Sequence, residues 1–301
     1  SLAPDLPLFL IEIFCYLVCL GLLFFLWHFI SNLFGKRSNK LMTGLKIIIL
    51  AAGKGTRMKS DIAKVCHPIG GLSLMGHTLK IASTLDPEEI SIVVGHHAQQ
   101  VIQEIDKIRP WIQAPITICE QKYPQGTGHA VLVSQHVFDN FSGNVLVLFA
   151  DTPLIKEETL KALVLLQEKQ GCAAVILGME TQDPKEYGRI IRSPESDRIE
   201  KIIEYTEASE EQRSIHLCNS GVMLLHAPYA KKLLSQLDNH NTKREYYLTD
   251  IVKHAKNRGW EVGLVVGEEE ELLGVNSRAD LAHVEALFQT RLRQQAMDKG
   301  I

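Results

Sequence analysis

The chain has 301 residues, of which 46% are hydrophobic and 22% charged, with a formal net charge of −3 at pH 7. This length allows one large domain or two small ones, and the charge balance argues against a broad nucleic-acid-binding surface. The six cysteines are scattered without a C-x-x-C pair. That pattern excludes a zinc-finger type of cluster and favours a reduced, cytosolic compartment.

A hydrophobic segment comes first along the chain. Residues 13–30 form an apolar run long enough to cross a bilayer as a helix, which needs about 20 residues or slightly fewer. Three cations, Lys36, Arg37 and Lys40, follow this run. The positive-inside rule then places the rest of the chain in the cytoplasm. We therefore predict that residues 1–41 are a transmembrane anchor with a basic linker.

A second interpretation of this segment stays open. The chain begins with Ser1, and Met42 is followed almost at once by the first predicted strand. A soluble cytoplasmic protein starting near Met42 would have the same pattern, and the preceding residues would then be an extension or a processed remnant.

Beyond the hydrophobic segment, short apolar runs alternate with helical patterns. Strands are predicted at 46–50, 90–95, 116–119, 144–149, 173–178, 221–225 and 261–266, and helices at 156–169, 228–237, 248–257 and 277–296. The alternation predicts an α/β, Rossmann-like fold, with a mostly parallel sheet and helices on both faces. Ligands of such folds bind outside the carboxyl ends of the strands. The polar residues 193–212 are predicted to be exposed surface.

The first predicted strand leads into a glycine-rich loop, LAAGKGTRM. It matches neither the phosphate loop G-x-x-x-x-G-K-[ST] nor the dinucleotide fingerprint G-x-G-x-x-G, because Met58 occupies the third glycine position of the latter. Gly53 and Gly55 still let backbone N–H groups approach an anion, and Lys54 and Arg57 add positive charge. We predict a phosphate-binding loop; a plain tight turn with solvated cations is the alternative.

Polar residues also follow the later strands. Gln121 offers an amide suited to the edge of a nucleobase, and Gly126 and Thr127 open a helical pattern whose first N–H groups suit an anion or a base. Taken alone, Gln121 would be an ordinary surface residue. Asp151 follows a buried strand, where it can reach a cation at the sheet edge or cap the next turn. Lys64 is a further candidate for a phosphate contact, although most lysines are simply solvated.

These stretches occur in one order with others. The order along the chain is LAAGKGTRM, Lys64, Gln121 with QGTGHA, ADTPL, YGRI, IIEY, NSGV, EYYLTD and GVNSR. The set resembles the sugar-1-phosphate nucleotidyltransferases and is most similar to the bacterial N-acetylglucosamine-1-phosphate uridyltransferases, in their pyrophosphorylase domain. The similarity covers about residues 45–301, and GTGHA, EYYLTD and GVNSR together make it specific.

The resemblance implies an activity. Enzymes of this family make UDP-N-acetylglucosamine and pyrophosphate from UTP and N-acetylglucosamine 1-phosphate. By resemblance, Arg57 and Lys64 are catalytic and face the triphosphate, and Asp151 and Asn276 bind Mg²⁺. The sugar phosphate is already ionised at neutral pH, so no general base is needed; position and electrostatics lower the barrier.

The resemblance also implies the substrate contacts. The nucleotide is cradled by Leu50, Ala51, Ala52, Gly53 and Gly55, with Lys64, Phe149, Ala150, Asp151 and Asn276 beside it. The uracil contacts are Gln121, Gly126 and Thr127. The contacts to the N-acetyl sugar are Gly188, Glu204 and Asn219.

The sequence departs from the family pattern in several places. Ala63 stands where a proline commonly precedes the lysine, Phe149 stands for a tyrosine, and Ala150 stands for a glycine. The Ala150 methyl adds bulk where backbone approaches the ligand, so we expect weakened nucleotide binding.

We predict a nucleotidyltransferase domain at 42–276 and a C-terminal helix at 277–301. The full-length members of the family also have a β-helix of hexapeptide repeats, which carries an acetyltransferase activity and builds a trimer. This sequence contains no such repeats, so we predict neither the acetyltransferase activity nor the trimer.

Other functions remain open at this stage. Within enzymes, the alternative is another sugar or base, such as glucose 1-phosphate or dTTP. A second alternative is a membrane-tethered protein that binds nucleotide sugars without turnover, which Ala63 and Ala150 would favour. A third alternative is a membrane scaffold without activity. The predicted partners are the two small-molecule substrates and, through residues 13–30, a membrane. The oligomeric state is not predicted.

Overall fold

The computed structural model describes residues 43–196 and 198–301. Residues 43–301 form one compact unit. The membrane helix predicted at 13–30 lies outside the described residues, and none of the helices within them has the length and apolar character needed to span a bilayer.

A central sheet dominates the described part of the chain. The strands are β1 (Leu45–Ala51), β2 (Pro68–Ile69), β3 (Leu72–Ser73), β4 (Glu89–Val94), β5 (Ile116–Glu120), β6 (Asn144–Phe149), β7 (Ala174–Glu180), β8 (Gly188–Arg192), β9 (Ile199–Ile203), β10 (Leu217–His226) and β11 (Val262–Gly267). The order in the sheet is β11-β7-β10-β6-β1-β4-β5, with β8 paired to β10 and β9 to β8. Only the pairs involving β10 and the β8–β9 pair are antiparallel in this sheet of described residues. The prediction of a mostly parallel sheet is confirmed.

Helices fill most of the connections between strands. They are α1 (Leu74–Thr84), α2 (Ala98–Ile108), α3 (Thr127–Val133), α4 (Glu157–Gln170), α5 (Glu210–Arg213), α6 (Ala227–Leu234), α7 (Asp250–Asn257), α8 (Glu269–Leu272) and α9 (Arg278–Asp298). The four predicted helices correspond to α4, α6, α7 and α9. Their ends differ from the prediction by three residues or fewer.

Strand β1 lies in the middle of the sheet and is covered on both faces. Ile47, Ile48 and Ile49 are fully buried although consecutive side chains point to opposite faces. In the strand register, Leu50 lies opposite Val93 on one side and Phe149 on the other. The loops that follow β1, β4 and β6 therefore leave the sheet at the same edge.

The exposed surface predicted for 193–212 is wrong in its middle. Strand β9 falls there, and its Ile199 and Ile202 join the main hydrophobic core. The charged residues interleaved with these isoleucines occupy the outer positions of a short edge strand, so the polar composition hid the strand.

The C-terminal helix α9 packs over the β2–β3 hairpin. Val284 enters a small apolar cluster formed with Met58, Ile69, Leu74, Leu154 and Val275. Gly70, at φ +54°, lies directly under the Phe288 ring, and its N–H donates to Glu285 Oε2 at 2.8 Å. A side chain at Gly70 would collide with that ring, so the glycine permits the close approach of helix and hairpin.

Candidate active site

Three of the predicted site residues meet at one point. The Lys64 ammonium contacts Asp151 Oδ2 and donates to Asn276 Oδ1 at 3.1 Å. Lys64 and Asp151 have side chains only 12% and 17% exposed. Their ion pair is therefore screened less by solvent than a surface pair would be.

The backbone around these residues explains their meeting. Ala150 N–H donates to Leu50 O at 3.1 Å, which continues the β1–β6 pairing to the residue before Asp151. Val275 N–H donates to Asp151 O at 2.8 Å, which brings Asn276 alongside. Gly55 lies at φ +61°, and a Cβ there would be 2.7 Å from the Lys64 Cβ. The glycine thus lets the loop after β1 lie against Lys64.

The residue types fit a divalent cation held partly by substrate. No group of three or more His, Cys, Asp or Glu that could hold a metal ion occurs among residues 43–196 and 198–301. However, Asp151 and Asn276 both contact a single ammonium, so a single cation is within reach of both oxygens. Mg²⁺ is commonly bound through one or two carboxylates together with substrate phosphates. Asp151 and Asn276 could hold Mg²⁺ in this way.

A cavity of about 570 Å³ opens beside these residues. That size suits a small-molecule ligand. The predicted contacts that line it are Leu50, Ala51, Ala52, Gly53, Lys64, Gln121, Gly126, Thr127, Phe149, Asp151 and Glu204. Pro124, Lys243, Glu245 and Tyr247 also line it, and the sequence did not single them out individually. Pro124 directly precedes the QGTGHA motif, and the other three lie in or near the EYYLTD motif.

Gln121 is a buried residue, and the surface alternative for it is wrong. It is 5% exposed, and its Nε2 lies 2.9 Å from His129 Nδ1 and 3.2 Å from Gly126 O. Burial lowers the pKa of His129, so the neutral ring can accept this hydrogen bond. With its amide group fixed by two partners, Gln121 is suited to reading a planar ligand edge.

The EYYLTD segment packs directly onto the QGTGHA segment. Gly128 N–H donates to Tyr246 O at 2.8 Å, and Leu248 N–H donates to Thr127 Oγ1 at 3.1 Å. A Cβ at Gly126 would lie 2.6 Å from Tyr246 O. Two motifs that are 120 residues apart in the sequence thus form one wall of the cavity, and the glycines allow their close contact.

The predicted sugar contacts lie on neighbouring strands or directly after one. Gly188 lies opposite Asn219 in the β8–β10 pairing, and Asn219 Oδ1 accepts the Gly221 N–H at 3.2 Å. Glu204 accepts the Thr249 hydroxyl at 2.9 Å, and burial raises the pKa of the Glu204 carboxyl. Glu204 lines both the cavity and an adjoining one of about 750 Å³, which Asn276 also lines.

Arg57 is not brought to Lys64. Its guanidinium pairs with Glu186 at 3.1 Å, with side chains 61% and 73% exposed. It lines the adjoining cavity, where Glu204 and Asn276 also lie. An exposed pair of this kind contributes little to stability, so it can exchange for an anionic ligand at small cost.

The two alanines that depart from the family pattern have different surroundings. Ala150 is fully buried and is not among the residues that line the cavity, and the weakened nucleotide binding expected from its methyl stays a prediction. Ala63 N–H donates to Gln100 Oε1 at 2.7 Å, and Gln100 Nε2 donates to Asp61 O at 2.9 Å. Gln100, which the sequence did not single out, thus holds the backbone just before Lys64.

Comparison with known proteins places this chain in a family. The profile of the MobA-like NTP transferase domain matches residues 47–257. The chain belongs to this family. It is therefore a nucleotidyltransferase, and the resemblance carried by the motifs is confirmed.

The chain is also similar to curated relatives and, in fold, to a solved structure. The chain is 43% identical over 255 residues to the bifunctional protein GlmU of Paracoccus denitrificans and 44% identical over 259 residues to that of Paramagnetospirillum magneticum. Each alignment covers 85% of this chain and 55% of the relative, so the chain spans about half the length of the curated relatives it matches. A UDP-glucose pyrophosphorylase complexed with UDP-glucose superimposes with a TM-score of 0.68 at 20% identity, over 82% of this chain and 99% of that one. This last likeness concerns the fold alone.

Proposed function

We propose that this NTP transferase moves UMP from UTP to N-acetylglucosamine 1-phosphate in a Mg²⁺-dependent reaction. The products are UDP-N-acetylglucosamine and pyrophosphate. The observation that carries the proposal is the meeting of Lys64, Asp151 and Asn276 beside a cavity lined by the glycine-rich loop and Gln121. The similarity to the GlmU proteins supports the choice of sugar and base.

The residues of the site act by position and charge. Mg²⁺ bound between Asp151 and Asn276 would neutralise phosphate charge as it builds up during transfer. The Lys64 ammonium lies beside these ligands and can donate to a phosphate oxygen of UTP. Backbone N–H groups after β1 hold the triphosphate, and Gln121 orients the base. The attacking sugar phosphate oxygen is ionised already, so no side chain has to remove a proton.

The sugar would lie toward β8 and β10. Glu204 is held by Thr249 at the junction of the two cavities, and its buried carboxyl is suited to accept hydrogen bonds from sugar hydroxyl or amide groups. Asn219 and Gly188 lie side by side in the neighbouring strands. Arg57, in the adjoining cavity, would release Glu186 to bind a phosphate.

Pyrophosphate release from the full chain tests the proposal. We expect turnover with UTP, N-acetylglucosamine 1-phosphate and Mg²⁺, and none when the metal is removed. Asp151→Asn should lower kcat/KM by about 100-fold or more, because it removes the charged ligand of the cation that would neutralise the reacting phosphates. Asp139→Asn, at a surface carboxylate paired with Lys231, is the matched control. Undiminished activity of the Asp151 variant would exclude the metal assignment.

Parallel reactions separate the alternatives. Turnover with glucose 1-phosphate or dTTP in place of the proposed substrates would favour another sugar nucleotide. Nucleotide-sugar binding without pyrophosphate release would favour a sensor.

The cytoplasmic, membrane-anchored location belongs to the same proposal. Its support is the hydropathy of residues 13–30 alone. Recovery of the full chain in the membrane fraction, resistant to high salt, is the expected result; recovery in the soluble fraction would contradict it.

A further inference from the structure

A buried carboxylate that none of the site motifs includes lies behind the site. Glu271 is only 2% exposed. Its oxygens accept the N–H of Lys156 at 2.9 Å and the N–H of Glu268 at 3.2 Å. The Thr159 hydroxyl lies 2.8 and 2.9 Å from the two oxygens. Burying a carboxylate is costly unless donors satisfy it, and here three donor groups do so.

Glu271 caps two helices at once. Helix α4 begins after Lys156, whose own side chain makes no capping hydrogen bond, and the Glu271 carboxylate accepts the Lys156 N–H, one of the N–H groups left free at the helix start. Glu271 also closes the capping box of its own helix α8 through the Glu268 N–H. A negative charge is favourable at both helix N-termini. One side chain thus fixes the start of α4 to α8.

Both helices are close in sequence to a predicted metal ligand. Asp151 precedes α4 by a short buried segment that contains Thr152, Leu154 and Ile155. Asn276 follows α8 after residues 273–275. The bond from Val275 N–H to Asp151 O joins the same two segments on the side of the cavity. The two segments are therefore tied together at both ends.

We infer that Glu271 is a positioning residue that sets the spacing of Asp151 and Asn276, and thereby the affinity of the pair for a divalent cation. This inference rests on the proposed function, since it concerns the metal of that reaction. Within the part of the chain that the structure describes, Glu271 does not line the cavity and makes no hydrogen bond or ion pair with Lys64. It acts by holding the two segments that carry the ligands.

Glu271→Gln tests the inference with almost no change in volume. The amide NH₂ replaces one acceptor oxygen and faces groups that are themselves donors, so the tie between α4 and α8 loosens. We expect the Mg²⁺ concentration for half-maximal activity to rise about 10-fold, as for other residues that orient metal ligands. Raising Mg²⁺ should restore most of the activity. A residue needed only for stability would not be rescued in this way.

Direct metal binding supplies a readout that does not depend on turnover. Free Mn²⁺, followed by electron paramagnetic resonance with and without UTP, should show affinity reduced by a similar factor in Glu271→Gln. Glu270→Gln makes the same charge change at an exposed position of α8 and should leave Mn²⁺ affinity at the wild-type value. Thr159→Val, which removes one donor and keeps the carboxylate, should shift affinity in the same direction by a smaller factor.

The outcomes separate this inference from the proposed function. A Glu271→Gln protein that is folded and binds Mn²⁺ like Glu270→Gln overturns the positioning role. Loss of activity that is equal at all Mg²⁺ concentrations overturns it as well. If wild type turns over no substrate pair, the proposed function fails, while the Mn²⁺ comparison still decides whether Glu271 positions the two ligands. Should Glu271→Gln not fold, Thr159→Val decides by the same measurement.

Discussion

At the scale of single residues, the backbone before Lys64 is held by a hydrogen bond from Ala63 to the side chain of Gln100. Ala63 has φ −52°, a value that a proline ring also adopts. The alanine keeps an N–H that proline lacks, and Gln100 uses it while also binding Asp61 O. A side-chain hydrogen bond thus holds backbone that a proline ring would hold covalently.

The hydrogen bond between Ala63 and Gln100 predicts the behaviour of three variants. Gln100→Ala should lower the free energy of unfolding by about 1 kcal/mol, the usual value of such a bond. Ala63→Pro should be nearly neutral, because the lost bond is offset by about 0.4–1 kcal/mol from the stiffer unfolded chain. Once Ala63→Pro is present, Gln100→Ala should cost less than it does alone. Urea titration of the single and double variants measures this, and strictly additive costs would contradict it.

At the scale of elements, a single apolar cluster supports three loops of the site. Met58 ends the glycine-rich loop, Leu154 follows Asp151, and Val275 precedes Asn276. Val284 of helix α9 packs against them. The C-terminal helix therefore serves the site although it contributes no ligand of the proposed metal.

Val284→Ala should accordingly affect both stability and substrate binding. Val284 is 1% exposed, and deleting its methyl groups should cost roughly 1–3 kcal/mol of unfolding free energy. Because three loops rest on it, KM for UTP should rise as well. Leu292→Ala on the same helix, 42% exposed, should change stability by about 0.5 kcal/mol or less. Equal effects of the two variants in thermal unfolding would contradict this role of the cluster.

The elements also show how far the sequence could predict the site. Short buried runs gave the central strands, because a parallel strand covered on both faces has to be apolar throughout. The motif order singled out Lys64, Asp151 and Asn276, which the fold brings into contact, while their roles stay predictions. Gln100 and Glu271 could not be found in this way. Glu271 stands in a run of four glutamates that is typical of a solvated surface, and only the tertiary contacts with Lys156 and Thr159 bury it.

At the scale of the whole molecule, three histidines in separate regions share one property. Burial lowers the pKa of His77, His129 and His226. The unfolded chain binds these protons more readily than the folded protein does, starting near the ordinary value of about 6.5. Their contribution to stability is therefore fully present above that pH and is lost as pH falls through the folded pKa values. Glu204 and Asp250, with pKa values raised by burial, act in the opposite direction.

A single variant isolates the histidine contribution. His226 Nδ1 lies 3.0 Å from Asn144 Oδ1, and its ring is half-buried. The stability advantage of wild type over His226→Gln should shrink as pH falls from 7 to 5, because only wild type has to exclude a proton there. Urea denaturation at several pH values measures the difference.

The position of the Lys64 ammonium has a consequence for how the metal and the nucleotide affect each other's binding. It lies between the two oxygens that the proposed metal would use, so the metal and the ammonium compete for one place. A nucleotide that offers Lys64 a phosphate oxygen frees that place, and so favours the metal. Thermodynamic reciprocity then requires the metal to favour the nucleotide by the same factor. One lysine would thus make the two ligands cooperative without any change of subunit or domain arrangement.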